Sequence, residues 1–190
     1  MNIICNSCVG GHLYKRCLNK PFSTPFIWNL IDFDSMLYMV KNFHTINWLD
    51  YELVKDDKWN FSIIVEGNAK IQYIHYKFDP KATTLYRKGV DVYYCSIWEY
   101  IVNRYEDRVA RMVSNVAQPI FIFANWWDVP VTLLSYENLY RLDDLKMYNI
   151  IVGVNKIHPE LHYVKQIIRK MPDDKCNAGL AERIYEKFLK

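Results

Sequence analysis

Short, wholly apolar runs constrain the fold of this chain more than any other feature. Ile120–Ala124 and Ile150–Val154 are the length of strands and far shorter than a membrane-spanning helix. A third run, within Asn2–Cys5, begins the chain. A strand without polar positions needs cover on both faces, which is typical of parallel sheets between helices. The pattern predicts an α/β fold, a three-layer α/β/α arrangement with a mixed, largely parallel sheet, in a single domain over residues 1–190.

Amphipathic segments alternate with these runs. The clearest is Ser96–Ser114, where apolar residues recur at three- and four-residue spacing and Ser96 with Glu99 forms a capping-box pattern. Further helices are predicted at His12–Leu18, at Asp34–Phe43 with Asp34 as the N-cap, at Tyr136–Lys146, at Pro159–Lys170 and at Ala178–Leu189.

One hairpin is also predicted. Phe61–Val65 and Lys70–His75 have strand-like composition, and Glu66-Gly67-Asn68 between them is suited to a tight turn. This hairpin would make the sheet mixed. The stretch that follows, as far as Asp91, is interpreted as a loop with a turn at Lys88-Gly89.

Charge and composition exclude several function classes. The formal net charge is +3, and the Lys and Arg residues are spread among acids, which does not favour nucleic-acid binding. The N-terminus lacks the basic and apolar regions of a secretory signal, and no segment reaches transmembrane length. The 5 cysteines are an odd number and are expected to be reduced. These features predict a cytoplasmic protein with no transmembrane segment, and no metal or other cofactor is predicted.

Cys8 is the strongest candidate for chemistry. It follows the first apolar run and precedes Gly10-Gly11, whose backbone N–H groups could hold an oxyanion. A cysteine nucleophile needs a base, and His75 at the end of a different predicted strand is the best candidate. The alternative is that Cys8 is a buried strand-end cysteine and His75 a packed histidine.

Four loops are expected to converge at the carboxyl edge of the sheet, where open α/β sheets form their crevice. They are residues 6–12, 75–80, 125–128 and 155–158. The candidates for substrate binding on these loops and on the Arg-bearing helix are Asn6, Gly10, Gly11, His12, Arg108, Arg111, Asn125 and Trp126.

Two other groups are interpreted as structural. Asp143-Asp144 resembles a metal-binding acidic pair, but it does not follow a predicted strand and is interpreted as surface acids. His158 and His162 do not form an H-E-x-x-H motif and are assigned to a solvated helix face.

The N-terminal motifs resemble a bacterial family associated with exopolysaccharide and capsule biosynthesis. The family pattern is roughly N-x-C-W-G-G-x-x-Y, then Y-x-S-P-F/T, then a strand ending in F-x-H-Y. The corresponding segments here are Asn6–Tyr14, Phe22–Phe26 and Ile74–Tyr76, with Val9 in place of the family's Trp. The order of Cys8, a Pro-Phe segment, His75 and an Arg-bearing helix is also similar to a bacterial group described as papain-like cysteine peptidases.

The resemblance implies an enzyme of bacterial surface-polysaccharide biosynthesis. In its most concrete form Cys8 attacks an acyl donor, His75 moves the proton, and Arg108, Arg111 or His12 binds an anionic donor or a sugar phosphate. One alternative is a glycosyltransferase that uses a nucleotide-sugar and needs no cysteine. Another is a non-catalytic glycan-binding or assembly protein that uses Trp126 and Trp127. The expected partner in each case is a glycan or its activated precursor.

Overall fold

The structure is a computed structural model. It describes residues 1–20, 24–26, 29–55, 60–77, 81–88, 90–115, 117–124, 135–169 and 178–190, with the backbone alone for residues 74–77. The strands are β1 (Asn2–Cys5), β2 (Leu30–Ile31), β3 (Tyr51–Lys55), β4 (Asn60–Val65), β5 (Ala69–Lys77), β6 (Thr83–Lys88), β7 (Asp91–Ser96), β8 (Pro119–Phe123), β9 (Ile150–Val154) and β10 (Lys165–Ile168). The helices are α1 (Val9–His12), which continues as a π-helix over Leu13–Leu18, α2 (Phe33–Asn42), α3 (Ile97–Ser114), α4 (Tyr136–Asp143) and α5 (Ala178–Ile184), which continues as a π-helix over Tyr185–Leu189.

A parallel sheet in the order β1-β8-β9-β10 confirms the predicted α/β fold. β1 pairs in parallel with β8, Ile3 opposite Ile120, and β8 pairs in parallel with β9, Ile122 opposite Ile151. The three apolar runs recognised in the sequence are therefore neighbours. Within the described residues, no helix is both long enough and apolar enough to cross a bilayer.

Alternate side chains of the parallel sheet enter two different cores. Ile4, Phe121 and Val152 pack with residues of α2, α3 and α4, whereas Ile3 and Ile122 pack with residues of α1 and α5. Because strand side chains alternate between faces, this arrangement requires apolar residues at successive positions. It explains why these strands show no alternation of polar and apolar residues.

The predicted hairpin is confirmed and belongs to a second sheet. This antiparallel sheet has the order β2-β5-β4-β3 and contributes side chains to the same core as α2 and α3. Glu66 and Gly67 have φ of 47° and 66°, and the Asn68 N–H donates to the Val65 carbonyl at 2.9 Å. Positive φ at both central residues is what a type I′ hairpin turn requires.

Helix α3 matches its prediction, and α2 differs at its cap. Ser96 and Glu99 form the reciprocal capping box at the start of α3. The N-cap of α2 is Asp32, whose Oδ1 accepts the Ser35 N–H at 2.8 Å, so the assignment of the cap to Asp34 is wrong. Asp34 lies in the first turn and pairs with Arg141 at 3.2 Å.

Two segments contradict the sequence interpretation. The supposed loop before Asp91 contains β6, which pairs with β7 in a two-stranded hairpin, Tyr86 opposite Tyr93. Its mixture of Thr, Tyr and basic residues gave no continuous apolar signal. The helix expected over Pro159–Lys170 is wrong as well, because residues 165–168 form β10 beside β9.

Asp143 explains why the segment before β10 is not helical. Its carboxylate accepts the backbone N–H groups of His162, Tyr163 and Val164 at 3.0, 2.6 and 3.0 Å. Asp143 is only 7% exposed, so its interpretation as a surface acid is wrong. Burial opposes ionisation, but the three N–H donors outweigh it and lower the pKa of Asp143 below its ordinary value.

We expect Asp143→Asn to lower the free energy of unfolding by roughly 2–3 kcal/mol, because an amide cannot accept all three N–H groups. Exposed Asp144 is the matched control, and Asp144→Asn should change stability by less than about 0.5 kcal/mol. Urea denaturation measures both effects.

The effect of Asp143→Asn on the free energy of unfolding should depend on pH. A carboxyl whose pKa is lower in the folded state stabilises the protein above its unfolded pKa of about 3.9 and loses that contribution as pH falls through the folded pKa. The difference between wild type and Asp143→Asn should therefore shrink below about pH 4. A difference that stays constant or grows there would contradict this role of Asp143.

Candidate functional site

Cys8 lies directly after β1, at the N-cap position of α1, and is only 6% exposed. Burial, with a smaller contribution from the nearby Cys5, raises the pKa of its thiol to about 12. At neutral pH the thiol is therefore almost entirely protonated, more so than the thiol of an exposed cysteine. The surroundings of Cys8 therefore favour the neutral thiol.

The backbone donors expected around Cys8 include one directed at Cys5. Burial raises the pKa of the Cys5 thiol, and hydrogen bonds from the Ser7 backbone, the Ser7 side chain and the Gly10 backbone oppose this in part. The Cys5 Sγ to Ser7 Oγ distance is 3.6 Å, and Cys5 is fully buried. Gly10 and Gly11 are both buried within α1. The Gly10 N–H thus contributes to an internal contact at the start of the helix.

Asn6 and His12 flank this segment. The Asn6 Oδ1 accepts the Ala124 N–H at 2.8 Å, and the Asn6 N–H donates to the Ile122 carbonyl at 3.3 Å. Asn6 therefore joins the carboxyl ends of β1 and β8 and is 3% exposed. His12 is half-buried at the end of α1, and its N–H donates to the Cys8 carbonyl at 3.2 Å.

The backbone of His75 lies in β5 of the antiparallel sheet, and its side chain is outside the described residues. Asn125 and Trp126 also lie outside them. Three of the four loops expected at one edge do follow strands of the parallel sheet, whereas residues 75–77 of the fourth lie within β5 of the antiparallel sheet. The Cys8–His75 pair stays a prediction.

Arg108 and Arg111 are brought together in a cleft of about 730 Å³ between the end of the α1 helix, β6 and α3. We call this the cationic cleft. Its lining residues are Tyr14, Lys15, Asn19, Lys20, Leu85, Tyr86, Arg87, Tyr100, Arg104, Asp107, Arg108 and Arg111.

Among the described residues that line the cationic cleft, six are Lys or Arg and one is a carboxylate, so positive charge dominates. That carboxylate, Asp107, accepts a hydrogen bond from the Tyr86 hydroxyl. Burial first, and then the contact with Asp107, raises the pKa of Tyr86, so this hydroxyl remains a donor. Asp107 is thus hydrogen-bonded to the wall of the cleft, and its single negative charge is outnumbered by the cations that line the cleft.

The aromatic side chains of the cleft are held by the same network. Arg104 donates to the Tyr100 hydroxyl and lies over the Tyr100 ring, 5.1 Å from its centroid. The Tyr86 and Tyr100 rings are in edge contact at 5.8 Å. Such rings provide faces for a sugar or a base beside the cations.

The cationic cleft lies near the amino end of β1. The Tyr14 hydroxyl accepts the Ile3 N–H at 3.1 Å and donates to the Met1 carbonyl at 3.0 Å. The Asn2 amide donates to the Met112 carbonyl of α3 at 3.1 Å. Cys8 follows the carboxyl end of β1, a strand about 10 Å long at 3.3 Å per residue. Cys8 is not among the described residues that line the cleft with Arg108 and Arg111.

The sequence could have indicated one wall of this cleft, the arginine-bearing face of α3. Arg104, Arg108 and Arg111 recur at four- and three-residue spacing and so share one face of α3. Lys15 comes from the π-helical continuation of α1, which ends at Asn19 in the left-handed conformation with φ of 47°. Lys20 follows that turn. The spacing in α3 is readable from the sequence, but the junction with α1 and β6 is not.

Cys8 should resist alkylation in the folded protein, because it is buried and its thiol has a raised pKa. We expect its rate with iodoacetamide to be low at neutral pH and to keep rising beyond about pH 10, without the plateau that an ordinary thiol reaches above its pKa of about 8.5. Mass spectrometry of each cysteine peptide across pH gives the rate, with half-buried Cys17 as the internal comparison. Rapid alkylation near neutral pH that is lost in His75→Ala would contradict this expectation and support the Cys8–His75 pair.

The family model described as "Domain of unknown function (DUF1919)" matches residues 1–90. The match covers β1 to β6 and includes Cys8, Gly10, Gly11 and His75, whereas α3 with its arginines lies outside it. No curated protein matches the chain. The N-terminal part of this chain is thus similar to that family.

Proposed function

We propose that this protein binds the phosphate or diphosphate group of an activated sugar in the cationic cleft, as a transferase of bacterial surface-polysaccharide biosynthesis. The observation that carries the proposal is the arrangement of Arg104, Arg108 and Arg111 on one face of α3, across from cations of α1 and β6. The resemblance of the N-terminal motifs supports the choice of pathway.

The chemistry of the cleft fits a phosphate better than a neutral glycan. Guanidinium groups donate two parallel N–H bonds to phosphate oxygens, and lysines add flexible point charges. Arg108 is only 5% exposed, so its charge acts in a medium of lower dielectric than water. A group carrying two negative charges would offset the mutual repulsion of several cations at once.

The cleft also has room and surfaces for the remainder of such a ligand. Its volume of about 730 Å³ falls in the ordinary range for small-molecule sites, roughly 300–1,000 Å³. Tyr100 lines it with an aromatic ring, and Asn19 adds an amide. These groups are suited to the sugar or base attached to the phosphate.

Acyl transfer by Cys8 fits the structure less well than phosphate binding in the cationic cleft. That reaction needs a thiolate, and burial holds the pKa of Cys8 at about 12. Transfer from a phosphate-activated sugar needs no thiolate. A non-catalytic glycan-binding protein would bind neutral sugars as well as charged ones, which the experiment below can distinguish.

We expect UDP-glucose and glucose 1-phosphate to raise the melting temperature, and glucose to have no effect. Arg111→Ala and Lys15→Ala should each raise the Kd for UDP-glucose about tenfold, the loss expected for one charge-assisted hydrogen bond. Isothermal titration calorimetry measures the Kd, and added salt should weaken it because the contacts are ionic.

The matched controls are Arg141→Ala and Lys70→Ala, which remove exposed cations outside the cationic cleft. Both should bind UDP-glucose as the wild type does. Equal binding of glucose and glucose 1-phosphate, or unchanged affinity in Arg111→Ala and Lys15→Ala, would refute the proposal.

A further inference from the structure

The β6–β7 hairpin presents an exposed apolar face beside the cationic cleft. Leu85 and Tyr94 are opposite each other in the hairpin and are 53% and 75% exposed. Val92 on the same face is 46% exposed, and Val90 in the turn is 95% exposed. Residues opposite each other, and residues two apart along a strand, share a face, so Leu85, Tyr94 and Val92 form one apolar ridge, which Val90 extends at the turn. We call them the hairpin ridge.

The opposite face of the hairpin already has a structural role. Tyr86 and Cys95 are buried there, and the Tyr86 ring contacts Tyr100 of α3 at 5.8 Å. The hairpin is therefore held by its inner face. An exposed patch of large apolar side chains on the outer face is not needed for this packing and is typical of an interaction surface.

Cations adjoin the hairpin ridge directly. Arg87 is opposite Val92 in the hairpin, and Lys88 is opposite Asp91, the carboxylate at the tip. Leu85 and Arg87 also line the cationic cleft, so the ridge and the cleft form one continuous surface. Apolar and aromatic residues flanked by Lys and Arg are complementary to an anionic lipid surface, where they enter the headgroup region beside lipid phosphates.

We infer that the hairpin ridge docks on an anionic phospholipid surface, with Val90 and Tyr94 inserted at the headgroup level. Four side chains offer less area than the roughly 800 Å² that each partner buries in a stable protein interface, but insertion into lipid needs no complementary surface. The orientation, with the cationic cleft facing the membrane, rests on the proposed phosphate-binding function. The docking itself rests on the ridge and its neighbouring cations.

Vesicle flotation tests this inference. The wild-type protein should float with vesicles of phosphatidylcholine mixed with phosphatidylglycerol and remain unbound with phosphatidylcholine alone. Val90→Asp and Tyr94→Ser should each weaken binding about tenfold, because each removes an inserted apolar side chain. Tyr148→Ser is the matched control, since Tyr148 is a tyrosine of similar exposure, 64%, in the turn before β9, and it should bind vesicles as the wild type does.

Each outcome has one meaning. Absence of wild-type binding to the mixed vesicles, or unchanged binding in both hairpin variants with native melting temperatures, overturns the inference. A wild-type dimer that Tyr94→Ser dissociates would assign the ridge to a second copy of the chain and also overturns it. UDP-glucose titration separates the two proposals. If the hairpin variants lose vesicle binding but still bind UDP-glucose, both proposals are supported. If the wild-type protein binds vesicles but does not bind UDP-glucose, the proposed function alone is refuted.

Discussion

Burial of β1 on both faces is the constraint on which the rest of the structure depends. All four of its residues are buried, and their side chains alternate between a core with α2 and α3 and a core with α1 and α5. The polar side chain of this strand, Asn2, is hydrogen-bonded to the Met112 carbonyl, and charged groups must lie beyond the strand ends. In this part of the molecule, side chains that could bind or react with a ligand are therefore found at the two ends of β1.

The two ends have different electrostatic properties. At the carboxyl end, Asn6 bonds to the backbone of β8 and the thiols of Cys5 and Cys8 are buried, so the neutral forms are favoured. At the amino end, the cleft lies beside Tyr14, and buried Arg108 and exposed Arg111 of α3 line it. Arg111, in the last turn of α3, also interacts favourably with the helix dipole.

The success of sequence interpretation followed the strength of each local signal. The apolar runs, the Ser96 capping box and the turn at Gly67 depend on neighbouring residues, and their predictions are confirmed. The β6–β7 hairpin was missed because its outward face is mixed in polarity, and β10 was missed because a distant carboxylate, Asp143, holds the preceding backbone. For the candidate site, Arg108 and Arg111 could be proposed from helical spacing, but the cleft that they line together with α1 and β6 could not.

The sequence by itself determined the α/β fold, in which apolar strands alternate with amphipathic helices along the chain. It also determined which face of α3 carries the arginines, because periodicity and capping are local properties. Only the tertiary structure decided that Cys8 is enclosed and that six cations from three separate elements share one cleft. It also decided that the hairpin ridge remains exposed. The reason is that burial and electrostatic potential depend on which distant segments pack together, and a linear pattern does not contain that information.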